Sequence, residues 1–196
     1  MTAAERDEDA RARFVEQMAG VDPARLVFLD ETGTTTAMIR RRSRAPRGQR
    51  AHGRVPRNRG TVTTLIAALC AAGMAAAMTI EGATTAAAFD VYIQRVLAPT
   101  LTPGQVVVLD NVAAHKSARA RRFIEAAGCQ LVFLPAYSPD LNPIEEAFAK
   151  LKALLRAAAA RTHLALDAAI AAAMRTITPA DAAGWFTHAG YTNPIN

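Results

Sequence analysis

The chain has 196 residues, enough for one domain with a substantial core but few for two, and its 51% hydrophobic and 20% charged residues argue against general disorder. Its two cysteines, Cys70 and Cys129, lie far apart beside apolar residues, which argues against a zinc motif and a disulfide framework. The first twenty residues are too highly charged for a signal peptide, so we expect a cytoplasmic protein.

The net charge of +6 is concentrated in one segment. Residues 40–59 contain nine arginines and no acid, and the rest of the chain carries a net charge of −3. This distribution favours a segment that binds a polyanion, most commonly a nucleic acid or an anionic membrane surface. A solvated, mobile loop is the alternative. The arginines are Arg40, Arg41, Arg42, Arg44, Arg47, Arg50, Arg54, Arg57 and Arg59.

The first half of the chain predicts a helix and then several strands. A charged helix is expected over about residues 3–19, followed by a buried strand in RLVFLDET. The next segment, TTTAMIRRRS, is predicted to be the hairpin partner of that strand, and a loop rich in Arg, Pro and Gly follows over 44–60. About four early strands result.

Residues 61–80 carry no charge over a length that could span a bilayer. Their apolar character comes mostly from alanine, β-branched residues stand at their start, and Gly73 divides them. Two strands joined at AAG are therefore predicted in preference to a transmembrane helix, and no membrane partner is expected.

The second half alternates helices and strands. A helix with a threonine-rich start is predicted over 84–97, a buried strand in QVVVLDN, a helix over 117–127 and a strand in QLVFLP. Three final helices are predicted near 143–158, 164–175 and 179–187. Antiparallel strands followed by alternating strands and helices indicate an α/β fold, with a mixed sheet flanked by helices on both faces.

Two of the predicted buried strands end in an aspartate, Asp30 or Asp110. If these strands are neighbours, their carboxylates emerge side by side at the edge of the sheet, where open α/β sheets usually bind ligands. Turn formation is the alternative role for an aspartate at a strand end. A third carboxylate would complete a site for Mg²⁺, which prefers oxygen ligands.

The segment LPAYSPDLNPIEEAF offers that third carboxylate. Asn142 and Pro143 predict a helix start, with Asn142 as the cap and Pro143 at the first helical position. Glu145 could then bind back to the backbone amide of the cap, which is the alternative to a metal-binding role. A buried stripe places Glu145 at its border, able to face the sheet, and Glu146 in solvent, while Asp140 is expected in a turn. The stripe comprises Ile144, Phe148, Leu151 and Leu155.

Three segments, LVFLDETG, VVVLDNVAAHKS and LPAYSPDLNPIEEAFAKLK, resemble the DDE transposases of the mariner superfamily, specifically the bacterial insertion-sequence-630 type. Their order and spacing agree from about Leu26 to Tyr191, and the 34 residues between Asp110 and Glu145 match the separation characteristic of this superfamily. The resemblance implies an RNase H-like catalytic domain over 23–192, with an N-terminal helical extension over 1–22 and a tail over 193–196.

The resemblance also implies a chemistry and a partner. Asp30, Asp110 and Glu145 would hold two Mg²⁺ ions, which Mn²⁺ can replace, with Asp30 bridging them during cleavage and transfer of DNA strands. DNA in the nucleoid is then the expected partner of the basic residues, while His115 contacts a phosphate or caps a helix. The DNA-binding candidates are Arg40, Arg41, Arg42, Arg44, Arg47, Arg50, Lys116 and Lys152, with Lys150 in addition.

Complete transposases of this type carry helix-turn-helix domains before the catalytic part, whereas this chain has room for one helix before Leu26. We therefore expect a catalytic domain that acts as a homodimer on DNA, with a separately encoded helix-turn-helix portion. The alternative is a truncated remnant or regulator that binds DNA or a full-length transposase without catalysis.

Overall fold

The computed structural model describes residues 5–58, 60–112 and 117–192. Its strands are β1 (Leu26–Thr34), β2 (Thr63–Cys70), β3 (Gly73–Glu81), β4 (Val106–Leu109) and β5 (Gln130–Phe133). Its helices are α1 (Glu8–Met18), α2 (Ala86–Tyr92), α3 (Ala118–Ala126), α4 (Ile144–Ala158), α5 (His163–Met174) and α6 (Pro179–His188). A π-helical turn, Ile93–Leu97, extends α2.

The five strands form one mixed sheet in the order β3-β2-β1-β4-β5. β1 pairs antiparallel with β2, and β2 with β3, whereas β1 pairs parallel with β4, and β4 with β5. The predicted α/β fold with one antiparallel half is confirmed. β1 is the strand at which the two halves join.

Helices cover both faces of the sheet because successive side chains of a strand point to opposite sides. On β1, Phe28 points toward the face covered by α1, α4, α5 and α6, where its ring packs 5.3 Å from that of Phe186. Val27 and Leu29 point to the opposite face, which α2 and α3 cover. Each face therefore has its own apolar core.

The prediction that TTTAMIRRRS forms the hairpin partner of β1 is wrong. β1 pairs with β2 instead, with Thr34 opposite Thr63, and the described residues between the two strands, 35–58 and 60–62, form no strand. Alternation along a strand would turn at least one of the three consecutive arginines toward a buried face, where an unpaired charge is costly. Arg161 holds the start of the loop, since its Nη1 donates to the carbonyl oxygens of Thr36 and Met38 at 2.9 and 3.0 Å.

The uncharged segment 61–80 forms the β2–β3 hairpin, as predicted. Gly73 opens β3 with a φ of +112°, and a Cβ at this position would lie 2.8 Å from the carbonyl oxygen of Ile177, so glycine is required here. Within the described ranges, no helix has the length and apolarity needed to cross a membrane. Cys70 and Cys129 are free thiols.

Candidate active site

Asp30 and Asp110 are brought together by the parallel pairing of β1 and β4. Leu29 lies opposite Leu109 in the register of the two strands, so Asp30 and Asp110 are the next residues at the same level. Asp110 directly follows the end of β4, as predicted, whereas Asp30 lies inside β1, which continues along β2 to Thr34. Both aspartates are half-buried.

Glu145 reaches the same place from the first turn of α4. The predicted stripe of Ile144, Phe148, Leu151 and Leu155 is buried against the sheet, which fixes the direction of the helix. Glu145, Asp30 and Asp110 all line one cavity of about 410 Å³, hereafter the acidic pocket. The rest of its wall is Asn111, Val112, Leu134, Pro135, Ala136, Tyr137, Ser138, Pro139 and Asn142.

The predicted role of Asn142 as the helix cap is wrong. Pro143 occupies the cap position and makes no side-chain capping bond. The Asn142 side chain points instead to β1, where its Nδ2 donates to Asp30 Oδ2 at 2.8 Å. Only its carbonyl oxygen serves the helix start, by accepting from the Glu145 amide at 3.2 Å.

Glu145 lies toward the sheet edge as predicted, whereas Glu146 does not lie in solvent. Glu145 is exposed, and within the described residues its carboxylate has no hydrogen bond or ion pair, so the proposed return bond to the cap is not formed. Glu146, expected in solvent, is half-buried and lies 3.1 Å from His188 Nδ1. The helix start tilts Glu146 toward α6 and leaves the Glu145 carboxylate beside the acidic pocket.

Asp140 has a structural role, in agreement with its predicted place in a turn. It lies in a 3₁₀ turn, Pro139–Leu141, and its carboxylate accepts two hydrogen bonds from Arg11 of α1, at 2.6 and 3.1 Å. Arg6 lies 3.8 Å away. The bond from Arg11 holds the pKa of Asp140 below its ordinary value.

The donor chemistry of the acidic pocket fits a hard divalent cation, because its three acidic side chains provide oxygen ligands. Asp30 already accepts through both oxygens, from Asn142 Nδ2 and from the Glu31 amide at 2.7 Å, which fixes the orientation of its carboxylate. Asp110 Oδ1 accepts from the Val112 amide at 3.3 Å. No group of three or more His, Cys, Asp or Glu among the described residues is close enough to hold a metal ion.

The arginine segment lies beside α4. Arg40, Arg41 and Arg42 line a cavity of about 490 Å³, hereafter the arginine groove, together with Arg156 of α4. Ala153 and Ala157 of α4 also line it. Within the described residues, none of the four arginines has an ion pair, so their charges are available to an anion. The other predicted arginines, Arg44, Arg47 and Arg50, are exposed.

The three candidate lysines have different positions. Lys152 is half-buried on α4. Lys150 is engaged elsewhere, because its Nζ lies 2.6 Å from Asp181 Oδ2 and links α4 to α6. Lys116 and His115 lie outside the described residues.

A family model, described as the DDE superfamily endonucleases, matches residues 25–167. The chain belongs to the DDE superfamily of endonucleases. No curated protein sequence matches it. The expected membership of the DDE class is thereby confirmed.

Solved structures of the Mos1 mariner transposase share the fold. A paired-end complex with the left transposon end has a TM-score of 0.70 at 18% identity, covering 97% of this chain and 61% of the other. The strand transfer complex has a TM-score of 0.68 at 18% identity, covering 92% and 56%. The chain thus spans about three fifths of those transposase chains. A Mos1 catalytic domain solved with raltegravir and Mg is covered to 91%, at a TM-score of 0.69 and 15% identity. These likenesses confirm the predicted RNase H-like fold.

Sequence reasoning missed three residues around the site: Asn142 as a partner of Asp30, Arg11 as a partner of Asp140, and Arg156 in the arginine groove. Arg156 could have been predicted as a DNA-binding candidate, because it lies on the same helix as Glu145 and Lys152. The contact of Asn142 with Asp30 was missed because Asn before Pro is a common helix start, which favours a capping role for Asn142.

Proposed function

We propose that this chain is the catalytic domain of a transposase of the mariner superfamily, of the bacterial insertion-sequence-630 type, and that it cleaves and joins DNA strands. The observation that carries the proposal is the convergence of Asp30, Asp110 and Glu145 on one pocket from two strands and a helix. Membership of the DDE endonucleases supports the same reaction class.

Asp30, Asp110 and Glu145 are proposed to hold two Mg²⁺ ions, with Mn²⁺ as a substitute. Such ions lower the pKa of a nucleophilic water or hydroxyl and stabilise the leaving oxygen of a phosphodiester. A solved Mos1 catalytic domain containing Mn shares this fold, with a TM-score of 0.66 at 15% identity. Asp30, whose carboxylate is fixed by hydrogen bonds to both of its oxygens, is the proposed bridging ligand.

DNA phosphates are the proposed ligands of the arginine groove. Four guanidinium groups that lack acidic partners in the described part of the chain repel one another, and an anion relieves that repulsion. Helix α4 contributes residues to both sites: Arg156, near its end, lines the arginine groove, and Glu145, in its first turn, lines the acidic pocket. Arg44, Arg47, Arg50, Lys116 and Lys152 are proposed to extend this contact along the DNA.

The assembly is proposed from the relatives rather than from this chain. The Mos1 structures include paired-end and strand transfer complexes, which are assemblies on DNA. We propose that residues 23–192 form the catalytic domain, that 1–22 and 193–196 are an N-terminal extension and a tail, and that the domain acts in the nucleoid as a homodimer with a helix-turn-helix portion.

Cleavage and strand transfer by the purified chain, on DNA carrying the ends of its own element, tests the proposal. The assay contains Mg²⁺ or Mn²⁺ and is run with and without a supplied helix-turn-helix portion. We expect Asp30→Asn, Asp110→Asn and Glu145→Gln to abolish both reactions while leaving the fold intact, because crowded carboxylates without a cation repel one another.

Glu146→Gln is the matched control, since it makes the same substitution at the adjacent residue, which faces His188 instead. It should retain cleavage. Activity that survives Asp30→Asn or Glu145→Gln would contradict the proposed site. Absence of cleavage by the unsubstituted chain, even with the supplied portion, would favour the non-catalytic alternative.

A further inference from the structure

Asn142 binds directly to the proposed bridging ligand. Its Nδ2 donates to Asp30 Oδ2 at 2.8 Å, across 112 residues of sequence. Its side chain is deeply buried, with 5% of the residue exposed. A carboxylate accepts hydrogen bonds, so the amide nitrogen must face Asp30 and the amide oxygen must face away.

This orientation has a cost. Asn142 Oδ1 is buried and has no hydrogen-bond partner among the described residues. A buried acceptor without a partner destabilises a fold, and Asn142 also gives up the helix cap that its position in sequence favours. Departures of this kind from local rules are expected at functional positions. Stability alone therefore does not explain the contact with Asp30.

The backbone of Asn142 contacts a second proposed ligand. Its carbonyl oxygen accepts from the Glu145 amide at 3.2 Å, in the turn that opens α4. One residue thus joins the side chain of Asp30, on β1, to the helix start that carries Glu145. These two acids belong to elements that are far apart in the chain, and Asn142 is a short link between them.

We propose that Asn142 is a positioning residue that fixes the carboxylate of Asp30 and the start of α4 relative to each other, so that Asp30 and Glu145 can hold the same divalent cations. This inference rests on the proposed function. Partners that orient metal ligands typically change metal affinity by about 10- to 100-fold when they are removed. Asn142 should have an effect in that range.

Calorimetric titration of the purified chain with Mn²⁺ tests the inference without requiring DNA cleavage. Asn142→Leu removes the amide and keeps a similar volume, while Asn142→Ala removes both amide and volume. We expect both variants to bind Mn²⁺ about 10- to 100-fold more weakly than the unsubstituted chain. The thermal stability of metal-free Asn142→Leu should change little, because removal of the unpaired buried oxygen offsets loss of the hydrogen bond to the half-buried Asp30. Gln17→Ala, at an exposed position of α1, is the control and should leave both quantities unchanged.

The Mg²⁺ requirement of cleavage gives a second readout. The Mg²⁺ concentration for half-maximal cleavage should rise by a similar factor in Asn142→Leu, with partial recovery of the rate at saturating Mg²⁺. A merely structural role would lower stability and leave metal affinity unchanged.

Two outcomes would overturn the inference. One is a folded Asn142→Leu protein that binds Mn²⁺ as tightly as the unsubstituted chain while Asp30→Asn binds it more weakly. The other is loss of folding in both Asn142 variants, which would assign the residue to stability. By contrast, weakened Mn²⁺ binding in the variants of a chain that never cleaves DNA would support the inference and contradict only the proposed function.

Discussion

The guanidinium of Arg11 in α1 donates two hydrogen bonds to the carboxylate of Asp140, 129 residues further along the chain, at 2.6 and 3.1 Å. Asp140 lies two residues before Asn142 and five before Glu145. Phe14 and Met18, three and seven residues after Arg11 and therefore on the same side of α1, are buried in the core. The N-terminal helix therefore supports the segment from which the proposed catalytic glutamate emerges.

Arg11→Ala should weaken this support. Because Asp140 is partly exposed, we expect the free energy of unfolding to fall by only about 0.2–1 kcal/mol, and the melting temperature by about 0.5–4 °C. Arg13→Ala is the control, since Arg13 lies on the exposed side of the same helix. Equal melting temperatures for the two variants would contradict a stabilising role for the Arg11–Asp140 pair.

The link between α4 and α6 should make the protein sensitive to acid. Asp181 accepts from Lys150 Nζ at 2.6 Å, from the Thr178 amide at 2.8 Å and from the Thr178 hydroxyl at 2.9 Å. These bonds lower the pKa of Asp181 to about 2, and the bond from Lys150 has the largest effect. A lowered pKa in the folded state stabilises the protein above the ordinary aspartate pKa, and this stability is lost as the pH falls toward 2.

Asp181→Asn should therefore be less stable than the unsubstituted chain at neutral pH, and this difference should shrink as the pH falls from about 4 to about 2. Denaturant unfolding at a series of pH values measures it. Asp167→Asn, at an exposed position of α5, is the control and should show no such trend. A difference that stays constant over this pH interval would show that Lys150 and Thr178 do not stabilise the charged form of Asp181.

Arg156→Ala should weaken DNA binding without altering the acidic pocket, because Arg156 lines the arginine groove and not that pocket. Removal of one phosphate contact should reduce the slope of the logarithm of affinity against the logarithm of salt concentration by about 1. Binding to several DNA sequences, measured over a range of salt concentrations, tests this. Arg175→Ala, outside the groove, is the matched control. An unchanged slope for Arg156→Ala would contradict the predicted phosphate contact.

Two glycine-to-alanine substitutions should have effects of opposite sign. At Gly73 the positive φ and the carbonyl oxygen of Ile177 oppose a side chain, so Gly73→Ala should destabilise the fold by about 1–3 kcal/mol. Gly184 lies inside α6 with open space where a Cβ would stand, so Gly184→Ala should stabilise it by about 0.5–1 kcal/mol. Chemical denaturation of both variants measures the change in the free energy of unfolding and its sign. A stable Gly73→Ala protein would contradict the close approach of the hairpin to Ile177.

Much of the fold was predictable because its elements carry strong local signals. The short, continuous apolar runs of β1, β4 and β5 are typical of strands that are buried on both faces of a sheet. The helix α3 was predicted to within a residue at either end, because Ser117 caps its start and Gly128 follows its end. The β2–β3 hairpin was predicted from a break at glycine. The partner of β1 was not predictable from TTTAMIRRRS, because the choice of β2 depends on pairing across 28 intervening residues.

The environments of individual side chains were less predictable than the elements. In the sequence, Asn142 before Pro143 favours a cap of α4, and no local signal indicates a contact with Asp30, 112 residues away. Only the packing of the helix start beside β1 brings the Asn142 amide to the Asp30 carboxylate, and the resulting contact leaves Asn142 Oδ1 without a partner among the described residues. Glu146 likewise turned from solvent to His188 once α6 packed against α4.

The sequence by itself determined the order of the elements, the three acids and the family resemblance, because apolar periodicity, turn residues and motif spacing are properties of neighbouring residues. The tertiary structure decided which strands pair, that Asp30 and Asp110 share one level of the sheet, and that Asn142 holds Asp30 rather than its own helix. All three depend on contacts between residues that are distant in the chain. Such contacts contribute to stability only in the folded protein, where the two apolar cores are packed against the sheet.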